Sequence, residues 1–200
     1  PTPPLCVVYA GHLYPWKGVD VLLQALVKLE GVNATIIGGD AAEPDFQRLQ
    51  DTSRSIGLGS RVDFVGMVEP SRVSGLLAKG DVLVLPNVGS GSVVNYTSPL
   101  KLFEYMAAGK PIVASNLPSI REVLRDGENA VLVEPGNPTA LTSGLRRVLE
   151  DPKLAERIAK RAFDEVTEYS WDCRAERVEA LLNEVLRGVQ LDDSQRTSQM

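Results

Sequence analysis

A short segment near the middle of the chain, residues 97–111, brings together residue types that can hold a phosphorylated sugar. It reads TSPLKLFEYMAAGKP, and Ser98 followed by Pro99 is a typical start of an α-helix. The free N–H groups and partial positive charge of a helix start can hold a phosphate. Lys101 adds a cation in the first turn, and Glu104 lies on the same face one turn later. Because a carboxylate can accept two neighbouring hydroxyls, the segment predicts a site for a ribose diphosphate.

The same segment has a second interpretation that needs no ligand. Lys101 and Glu104 are spaced to form an ion pair on the surface of an amphipathic helix. Such a pair stabilises a helix by roughly 0.2–0.5 kcal/mol. Both interpretations stay open on this segment alone.

The segment YAGHLYPWKGVDVLL carries a second candidate for anion binding. It places Gly11, His12 and Lys17 between the first predicted strand and the first predicted helix. Lys17 would lie beside the positive end of a helix dipole, an unfavourable place for a cation unless an anion binds between them. The alternative is that Lys17 is a solvated lysine in a loop. His12 is the only histidine of the chain, and a lone histidine is more often a hydrogen-bonding residue than a catalyst. We predict that Trp16 packs near the loop.

The sequence lacks the patterns of several other ligand sites. One histidine and two cysteines without ligand spacing argue against a histidine metal cluster and a Ser-His-Asp triad. No Asp-x-Asp, G-x-G-x-x-G or G-x-x-x-x-G-K-[ST] occurs, which argues against a carboxylate-held cation, a dinucleotide fingerprint and a P-loop. We therefore expect an anion site without metal or cofactor, in which lysines, His12 and helix amides supply the counter-charge.

The composition is that of one ordinary globular domain. The chain has 200 residues, of which 44% are hydrophobic and 24% charged. Acidic residues outnumber basic ones by 26 to 21, which argues against nucleic-acid binding through a basic face. We expect a cytoplasmic protein, because the sequence has few cysteines, no long apolar run and no visible signal peptide.

Short apolar runs alternate with amphipathic segments along the chain. This alternation predicts an α/β fold, with a three-layer parallel sheet of about six strands and helices on both faces. Ligands of such sheets bind beyond the carboxyl ends of the strands. We predict a linker over residues 1–4, one domain over 5–189 and a disordered tail over 190–200. The predicted strands are 5–10, 34–37, 62–65, 82–85, 111–115 and 130–133, and the predicted helices are 17–30, 45–56, 70–79, 98–109, 119–124, 138–149, 152–166 and 171–186.

Seven motifs in a fixed order give the chain a resemblance that runs from Tyr9 to about Leu186. The chain resembles the C-terminal, donor-binding half of a GT-B glycosyltransferase, in glycosyltransferase family 4 of the group 1 enzymes. The resemblance implies a Rossmann-like domain that is one half of a GT-B fold. The motifs are GHLYPWKGVDVLLQAL, ATIIGGD, RVDFVGMV, GDVLVLPN, SPLKLFEYMAAGKPIVASNLPSIREVL, DGENAVLVEPGNP and YSWD.

The resemblance implies sugar transfer from a nucleotide diphosphate donor, of UDP or GDP type, to a glycan or lipid-linked acceptor. It further implies retention of anomeric configuration and no requirement for a metal ion. The implied roles follow residue by residue. Lys17 contacts the diphosphate, Glu104 the ribose hydroxyls, the amides of Leu100 and Lys101 the phosphates, and the backbone around Met67 the base. The candidate catalytic residues are Lys17 and Lys101, with His12 as a weaker candidate, and the candidate donor-binding residues are Gly11, Lys17, Met67, Thr97, Ser98, Leu100, Lys101 and Glu104.

Two positions depart from the family pattern. His12 stands where the family usually has an arginine, and Tyr96 stands where it usually has an acidic residue, eight positions before Glu104. The segment SPLKLFEYMA resembles a variant within the group, and we predict that Lys101 assists the phosphates. The sugar-binding role of Tyr96, Thr97 and Ser98 stays open.

The resemblance also implies that an N-terminal acceptor domain is missing from this chain. We therefore expect the isolated chain to bind the donor and to transfer little sugar, with peripheral contact to the inner face of a membrane only in the full-length enzyme. There are two alternatives. A nucleotide-sugar 2-epimerase or phosphorylase should show more histidine and acidic groups, or a pyridoxal lysine motif, and the sequence shows neither. A free-standing nucleotide-sugar-binding subunit or sensor stays open. The last helix carries an apolar stripe that is either exposed or covers its own domain: Val178, Leu181, Leu182 and Val185.

Overall fold

Six parallel strands form the sheet that the apolar runs predict. The computed structural model describes residues 4–89 and 100–197, with side chains up to residue 186. The strand order is β3-β2-β1-β4-β5-β6, and each neighbouring pair is parallel. The predicted three-layer, Rossmann-like α/β fold with helices on both faces is therefore confirmed. The strands are β1 (Leu5–Ala10), β2 (Val32–Ile37), β3 (Val62–Gly66), β4 (Val82–Leu85), β5 (Ile112–Ser115) and β6 (Val131–Val133).

Most helices lie close to their predicted bounds, and the first and the last are the exceptions: the first is shorter than predicted, and the last extends to Thr197. The first begins at Val19 rather than Lys17, because Gly18 has a left-handed backbone with φ of 75°. Lys17 instead ends a 3-10 turn, Pro15–Lys17. The predicted helix start at Ser98 lies outside the described residues. The helices are α1 (Val19–Leu26), α2 (Pro44–Ser55), α3 (Pro70–Leu77), α4 (Leu100–Ala107), α5 (Pro118–Arg121), α6 (Pro138–Glu150), α7 (Pro152–Glu165) and α8 (Trp171–Thr197).

The strand order places a topological reversal between β1 and β4. From this point the chain extends outwards to β2 and β3 on one side and to β5 and β6 on the other. Ligands of open parallel sheets bind in the crevice that such a reversal leaves at the carboxyl edge. The residues that follow β1 and β4 at this edge are Gly11 and Pro86.

The core around the sheet is almost entirely aliphatic. All four residues of β4 and of β5 are buried, as continuous apolar runs predict for central strands. Helix α1 packs against α6 on one face of the sheet. Leu22 and Leu26 of α1 and Leu145 and Val148 of α6 are at most 2% exposed. Burial of each such side chain contributes about 1.5–3 kcal/mol to folding.

The chain divides into two compact units, Pro1–Asp164 and Glu165–Met200. The first contains the sheet, and the second contains a 3-10 turn, Val166–Tyr169, and α8. The predicted domain of residues 5–189 spans both units, and its limits stay a prediction. Helix α8 continues through residues 190–197, where we predicted a disordered tail. That stretch contains no proline or glycine that would end a helix.

The apolar stripe of α8 is exposed. Val178, Leu181, Leu182 and Val185 have 50–60% of their surface accessible to solvent. Within the described part of the chain, no helix combines the length and the apolar character that crossing a bilayer requires.

Arg61, which precedes β3, holds the end of α1 against the start of β2. Its guanidinium donates to the carbonyls of Leu26 at 3.0 Å, Val32 at 2.7 and 3.1 Å, and Leu29. Carbonyls at the end of a helix have no partner within the helix, and a cation there also complements the helix dipole. The side chain therefore supplies donors to three carbonyls between the end of α1 and the start of β2, of which that of Leu26 also accepts from the Leu29 N–H at 3.1 Å.

We predict that Arg61→Ala lowers the free energy of unfolding by about 2–3 kcal/mol. Urea denaturation measures this loss. Arg54→Ala is the matched control, because Arg54 forms an exposed ion pair with Asp51 and its loss is expected to cost under about 0.5 kcal/mol. Equal losses in the two variants would contradict the role of Arg61.

Candidate functional site

Four of the predicted site residues line one cavity at the carboxyl edge of the sheet. Gly11 and His12 follow β1, Met67 follows β3, and Lys101 lies in the first described turn of α4. The cavity has a volume of about 230 Å³. Folding thus brings together residues that are far apart in the sequence. The other lining residues are Ala10, Ile37, Gly38, Gly39, Val68 and Val73.

Gly38 allows the chain after β1 and the chain after β2 to lie close together in the wall of this cavity. Its φ is 112°, and a Cβ atom here would lie 2.2 Å from the carbonyl oxygen of Gly11. The Gly38 N–H donates to the carbonyl of Gly66 at 2.7 Å, which joins the ends of β2 and β3. Gly38 was not among the predicted site residues. The signal for it was the glycine pair Gly38-Gly39 at the end of a predicted strand.

Two buried tyrosines fix the end of β1 next to the cavity. The Ala10 N–H donates to the Tyr105 hydroxyl at 2.7 Å, which ties α4 to β1. The Tyr9 hydroxyl donates to the carbonyl of His12 at 2.5 Å. The sequence prediction missed Tyr105, although an aromatic hydroxyl directly after Glu104, on the buried face of the same helix, was a usable signal.

The buried tyrosines predict a loss of stability at high pH. Burial raises the pKa of both hydroxyls above the ordinary value of 10.0, and their mutual repulsion when ionised adds to this for Tyr9. A raised pKa means that the neutral form is favoured in the folded state. The stabilisation is complete below pH 10 and is lost as pH rises above it. We expect the unfolding free energy to fall by about 1.4 kcal/mol per pH unit for each tyrosine.

Urea denaturation between pH 9 and 11 measures this slope. Tyr9→Phe is expected to remove the contribution of one hydroxyl and to reduce the total fall between pH 9 and 11 by about 1.4 kcal/mol. An unchanged slope in this variant would show that Tyr9 ionises equally in the folded and unfolded chains.

Lys17 lies at the same edge of the sheet, in the turn between β1 and α1, and does not line the cavity. The Trp16 carbonyl accepts from the Val88 N–H at 2.9 Å, so the turn is attached to the chain that follows β4. The Lys17 side chain is half-buried, and this burial lowers the pKa of its ammonium. Within residues 4–89 and 100–197, the Lys17 ammonium has no ion pair or hydrogen bond.

The acidic residue nearest to Lys17 in the sequence does not neutralise it. Arg48 of α2 forms two hydrogen bonds with the carboxylate of Asp20, at 2.6 and 3.1 Å. The hydrogen bond with Asp20 raises the pKa of Arg48. Lys17 is therefore a partly desolvated cation, and an anion beside it would offset the cost of its burial.

Lys101 and Glu104 form the ion pair that the second interpretation of their segment predicts. The Lys101 ammonium lies 2.7 Å from the Glu104 carboxylate, and the two side chains are 35% and 44% exposed. Glu104 does not line the cavity, but its exposed carboxylate is open to a further hydrogen-bond donor. Leu100 begins the described part of α4 and is 64% exposed. The other predicted residues of this segment, Tyr96, Thr97 and Ser98, lie outside the described residues.

The described residues contain no group of three or more histidine, cysteine, aspartate or glutamate side chains that could hold a metal ion. Among the predicted site residues, the charged side chains at this edge are those of Lys17, Lys101 and Glu104. Such a set can bind an anion and a hydroxyl-bearing ligand.

Comparison with known sequences relates this chain to glycosyltransferases. Residues 1–165 match the model of the family described as Glycosyl transferases group 1. Over 169 residues the chain is 32% identical to an uncharacterised glycosyltransferase of Methanocaldococcus jannaschii. The aligned residues make up 83% of this chain and 41% of the relative. Over 168 residues it is 34% identical to phosphatidyl-myo-inositol mannosyltransferase of Mycobacterium leprae, with coverages of 82% and 42%. The chain thus spans less than half the length of these relatives.

Solved structures show the same fold. HepE of Anabaena in complex with UDP matches with a TM-score of 0.80 at 23% identity, over 90% of this chain and 49% of that one. Sucrose-phosphate synthase of Thermosynechococcus elongatus matches with a TM-score of 0.79 at 24% identity, over 94% and 47%. At these identities the likeness concerns the fold, and this chain corresponds to about half of each structure.

Proposed function

Because the chain belongs to the glycosyl transferases group 1 family, we propose that it binds the nucleotide-diphospho-sugar donor of a retaining glycosyltransferase that needs no metal ion. The observation that carries the proposal is the half-buried Lys17 ammonium without a partner in the described part of the chain. Lys17 lies at the same sheet edge as Lys101 and Glu104. The proposal includes membership of family 4 as the SPLKLFEYMA variant.

The proposed chemistry is electrostatic stabilisation of the leaving group. When the bond between the anomeric carbon and the terminal phosphate oxygen breaks, the nucleotide diphosphate gains negative charge. Lys17 and Lys101 stabilise that charge, with His12 as a weaker contributor, and this lowers the barrier to departure. Glu104 holds the ribose hydroxyls and exchanges no proton.

We propose a UDP-type or GDP-type donor and a hexose as the transferred sugar, and the names of the relatives support the UDP type and the hexose. HepE structures contain UDP and UDP-glucose, and curated relatives include a mannosyltransferase and a D-inositol 3-phosphate glycosyltransferase. We propose a glycan or lipid-linked acceptor.

We further propose that the acceptor site lies in a domain that corresponds to the unmatched part of the relatives. On this proposal the isolated chain binds the donor but transfers little sugar. The cytoplasmic location, with peripheral membrane contact through the full-length protein, stays part of the same proposal.

A ligand screen in EDTA tests the proposed function. UDP, GDP and ADP, each with and without an attached sugar, are added to the chain, and thermal shift and calorimetry measure stability and affinity. A nucleotide present at 100 times its Kd is expected to stabilise the fold by about 2.7 kcal/mol. The proposal is wrong if no nucleotide stabilises the chain, or if stabilisation requires added magnesium or manganese.

We predict that Glu104→Ala weakens nucleotide binding by about 1–3 kcal/mol, because the ribose hydroxyls lose their acceptor. Glu128→Ala is the matched control, since Glu128 forms a comparable exposed ion pair with Arg125 at 2.8 Å, outside the candidate site. A 2′-deoxynucleotide should bind more weakly than the ribonucleotide to the original chain and equally to Glu104→Ala. Calorimetry measures all four affinities, and an unchanged affinity in Glu104→Ala would exclude the ribose role.

A further inference from the structure

Three exposed aromatic side chains between β1 and α1 form a stack, which we call the aromatic stack: His12, Tyr14 and Trp16. The centroids of the His12 and Tyr14 rings are 5.2 Å apart with an interplanar angle of 14°, and those of Tyr14 and Trp16 are 4.7 Å apart at 23°. Tyr14 is 37% exposed and Trp16 is 43% exposed. Our prediction that Trp16 packs near the loop therefore describes only one face of its ring.

The backbone holds these rings in place from the core side. Leu13, between the first two rings, is 1% exposed and anchors the segment in the core. The carbonyls of His12 and Trp16 accept from the Tyr9 hydroxyl and the Val88 N–H at 2.5 and 2.9 Å. The conformation of the loop is thus fixed independently of any ligand. A ligand that stacks here does not bear the entropy cost of ordering the loop.

The stack leaves aromatic surface in water that its own contacts do not use. Aromatic pairs stabilise a fold by about 0.5–1.5 kcal/mol beyond burial, which would account for the two ring contacts on structural grounds. This stabilisation does not explain why the outer face of Trp16, the last ring of the stack, is free of aromatic contacts in the described part of the chain. No other aromatic ring of the described residues stacks against that face. Clustered exposed apolar side chains of this kind mark binding surfaces.

The position of the stack indicates which ligand it would take. His12 lines the cavity that also includes Lys101, and Trp16 directly precedes Lys17. The stack therefore begins at the cavity and ends at the residue before the lysine assigned to the diphosphate. In a nucleotide-diphospho-sugar, the group bonded to the terminal phosphate is the sugar ring. With Lys17 on the terminal phosphate, as proposed above, the ring that lies next to this phosphate is a carbohydrate.

We propose that the aromatic stack is a pyranose-binding subsite, in which the outer face of Trp16 contacts the C–H face of a sugar ring. The π face of an indole is negative and the C–H groups of a pyranose face are weakly positive, so the two attract. The inference rests on the proposed function for its location. The ring belongs either to the donor sugar or to the acceptor, and the experiment separates these sources.

Tryptophan fluorescence tests the proposal in the full chain carrying Trp171→Phe. The chain has two tryptophans, so this exchange leaves Trp16 as the only one, and Trp171 lies in the second compact unit. The first arm compares UDP and GDP with UDP-glucose and GDP-mannose. The second arm titrates methyl glycosides of glucose, mannose, galactose and N-acetylglucosamine, with glycerol as the ringless control. A saturable change of Trp16 emission in the first arm that requires the sugar assigns the ring to the donor, and one in the second arm assigns it to the acceptor.

Tyr14→Ala removes the middle of the stack and is expected to weaken the sugar-dependent response about fivefold, whereas Tyr14→Phe retains it. Nucleotide affinity, measured separately by calorimetry, should change less than about twofold in either variant. The proposal is overturned if no sugar alters Trp16 emission, or if Tyr14→Ala weakens UDP or GDP as much as their sugars. A chain that binds glycosides but no nucleotide refutes the proposed function and retains the pyranose subsite.

Discussion

Replacement of Gly18 with alanine is expected to lower the free energy of unfolding by about 3 kcal/mol or more. Gly18 has φ of 75°, a conformation that costs an L-residue about 1–2 kcal/mol. A Cβ atom here would also lie 1.9 Å from the carbonyl oxygen of Pro86, which is a backbone atom at the end of β4. Neither the turn nor the strand end can keep its position, and chemical denaturation measures the loss.

Gly57→Ala is the control that separates the two causes. Gly57 has φ of 80° and no heavy atom within 4 Å of an added Cβ, so only the backbone conformation is penalised. We expect a loss of about 1–2 kcal/mol there. The additional loss in Gly18→Ala then measures the close approach of the Lys17 turn to β4, and equal losses would show that this approach contributes nothing.

Replacement of Lys17 with methionine is expected to weaken nucleotide diphosphate binding by about 30- to 100-fold, equivalent to about 2–3 kcal/mol. Stability should not fall, because the change removes a half-buried cation that lacks a partner among the described residues. A loss of affinity without a loss of stability is typical of a residue that serves binding rather than folding. Calorimetry and urea denaturation on the same variant measure the two effects.

The pH dependence gives an independent readout for Lys17. Its pKa is lowered from 10.5 by burial, so the ammonium loses its charge at a lower pH than an unburied lysine would. Affinity should therefore fall as pH rises through this lowered pKa, and the fall should disappear in Lys17→Met. Lys79→Met is the control, because Lys79 is exposed and precedes β4 at the opposite edge of the sheet. If both variants lose affinity equally, the effect reflects net charge and not a site at Lys17.

The fold was predictable because its strands are continuous apolar runs that both faces of the sheet bury. Strands β1 and β4 have the bounds that the sequence predicted, from Leu5 and from Val82. The start of α1 was predicted two residues too early, at Lys17, because the helical spacing of the apolar residues does not mark where the helix begins. The left-handed Gly18 delays the helix, and its close approach to Pro86, which lies far away in the sequence, leaves no room for a side chain there.

The charged residues of the candidate site could be predicted from the sequence, because their residue types indicate their chemistry. The residues that position these side chains were harder to predict. Lys101 and Met67 line the same cavity although the sequence separates them by more than thirty residues. The place of Tyr105 after Glu104 was a usable signal for a buried hydroxyl, but its partner, the Ala10 N–H, lies in a distant segment that the local pattern does not indicate. The stacking of Tyr14 and Trp16 depends on a loop conformation that local sequence patterns do not define.

A crystal structure of the chain soaked with its preferred nucleotide diphosphate in EDTA would show which residues hold the diphosphate. We predict that the diphosphate lies within about 2.7–3.2 Å of the Lys17 ammonium, that Glu104 accepts the ribose hydroxyls, and that no metal ion is present. A nucleotide bound elsewhere, for example in the cavity of about 510 Å³ that Lys110 and Phe163 line, would contradict the account.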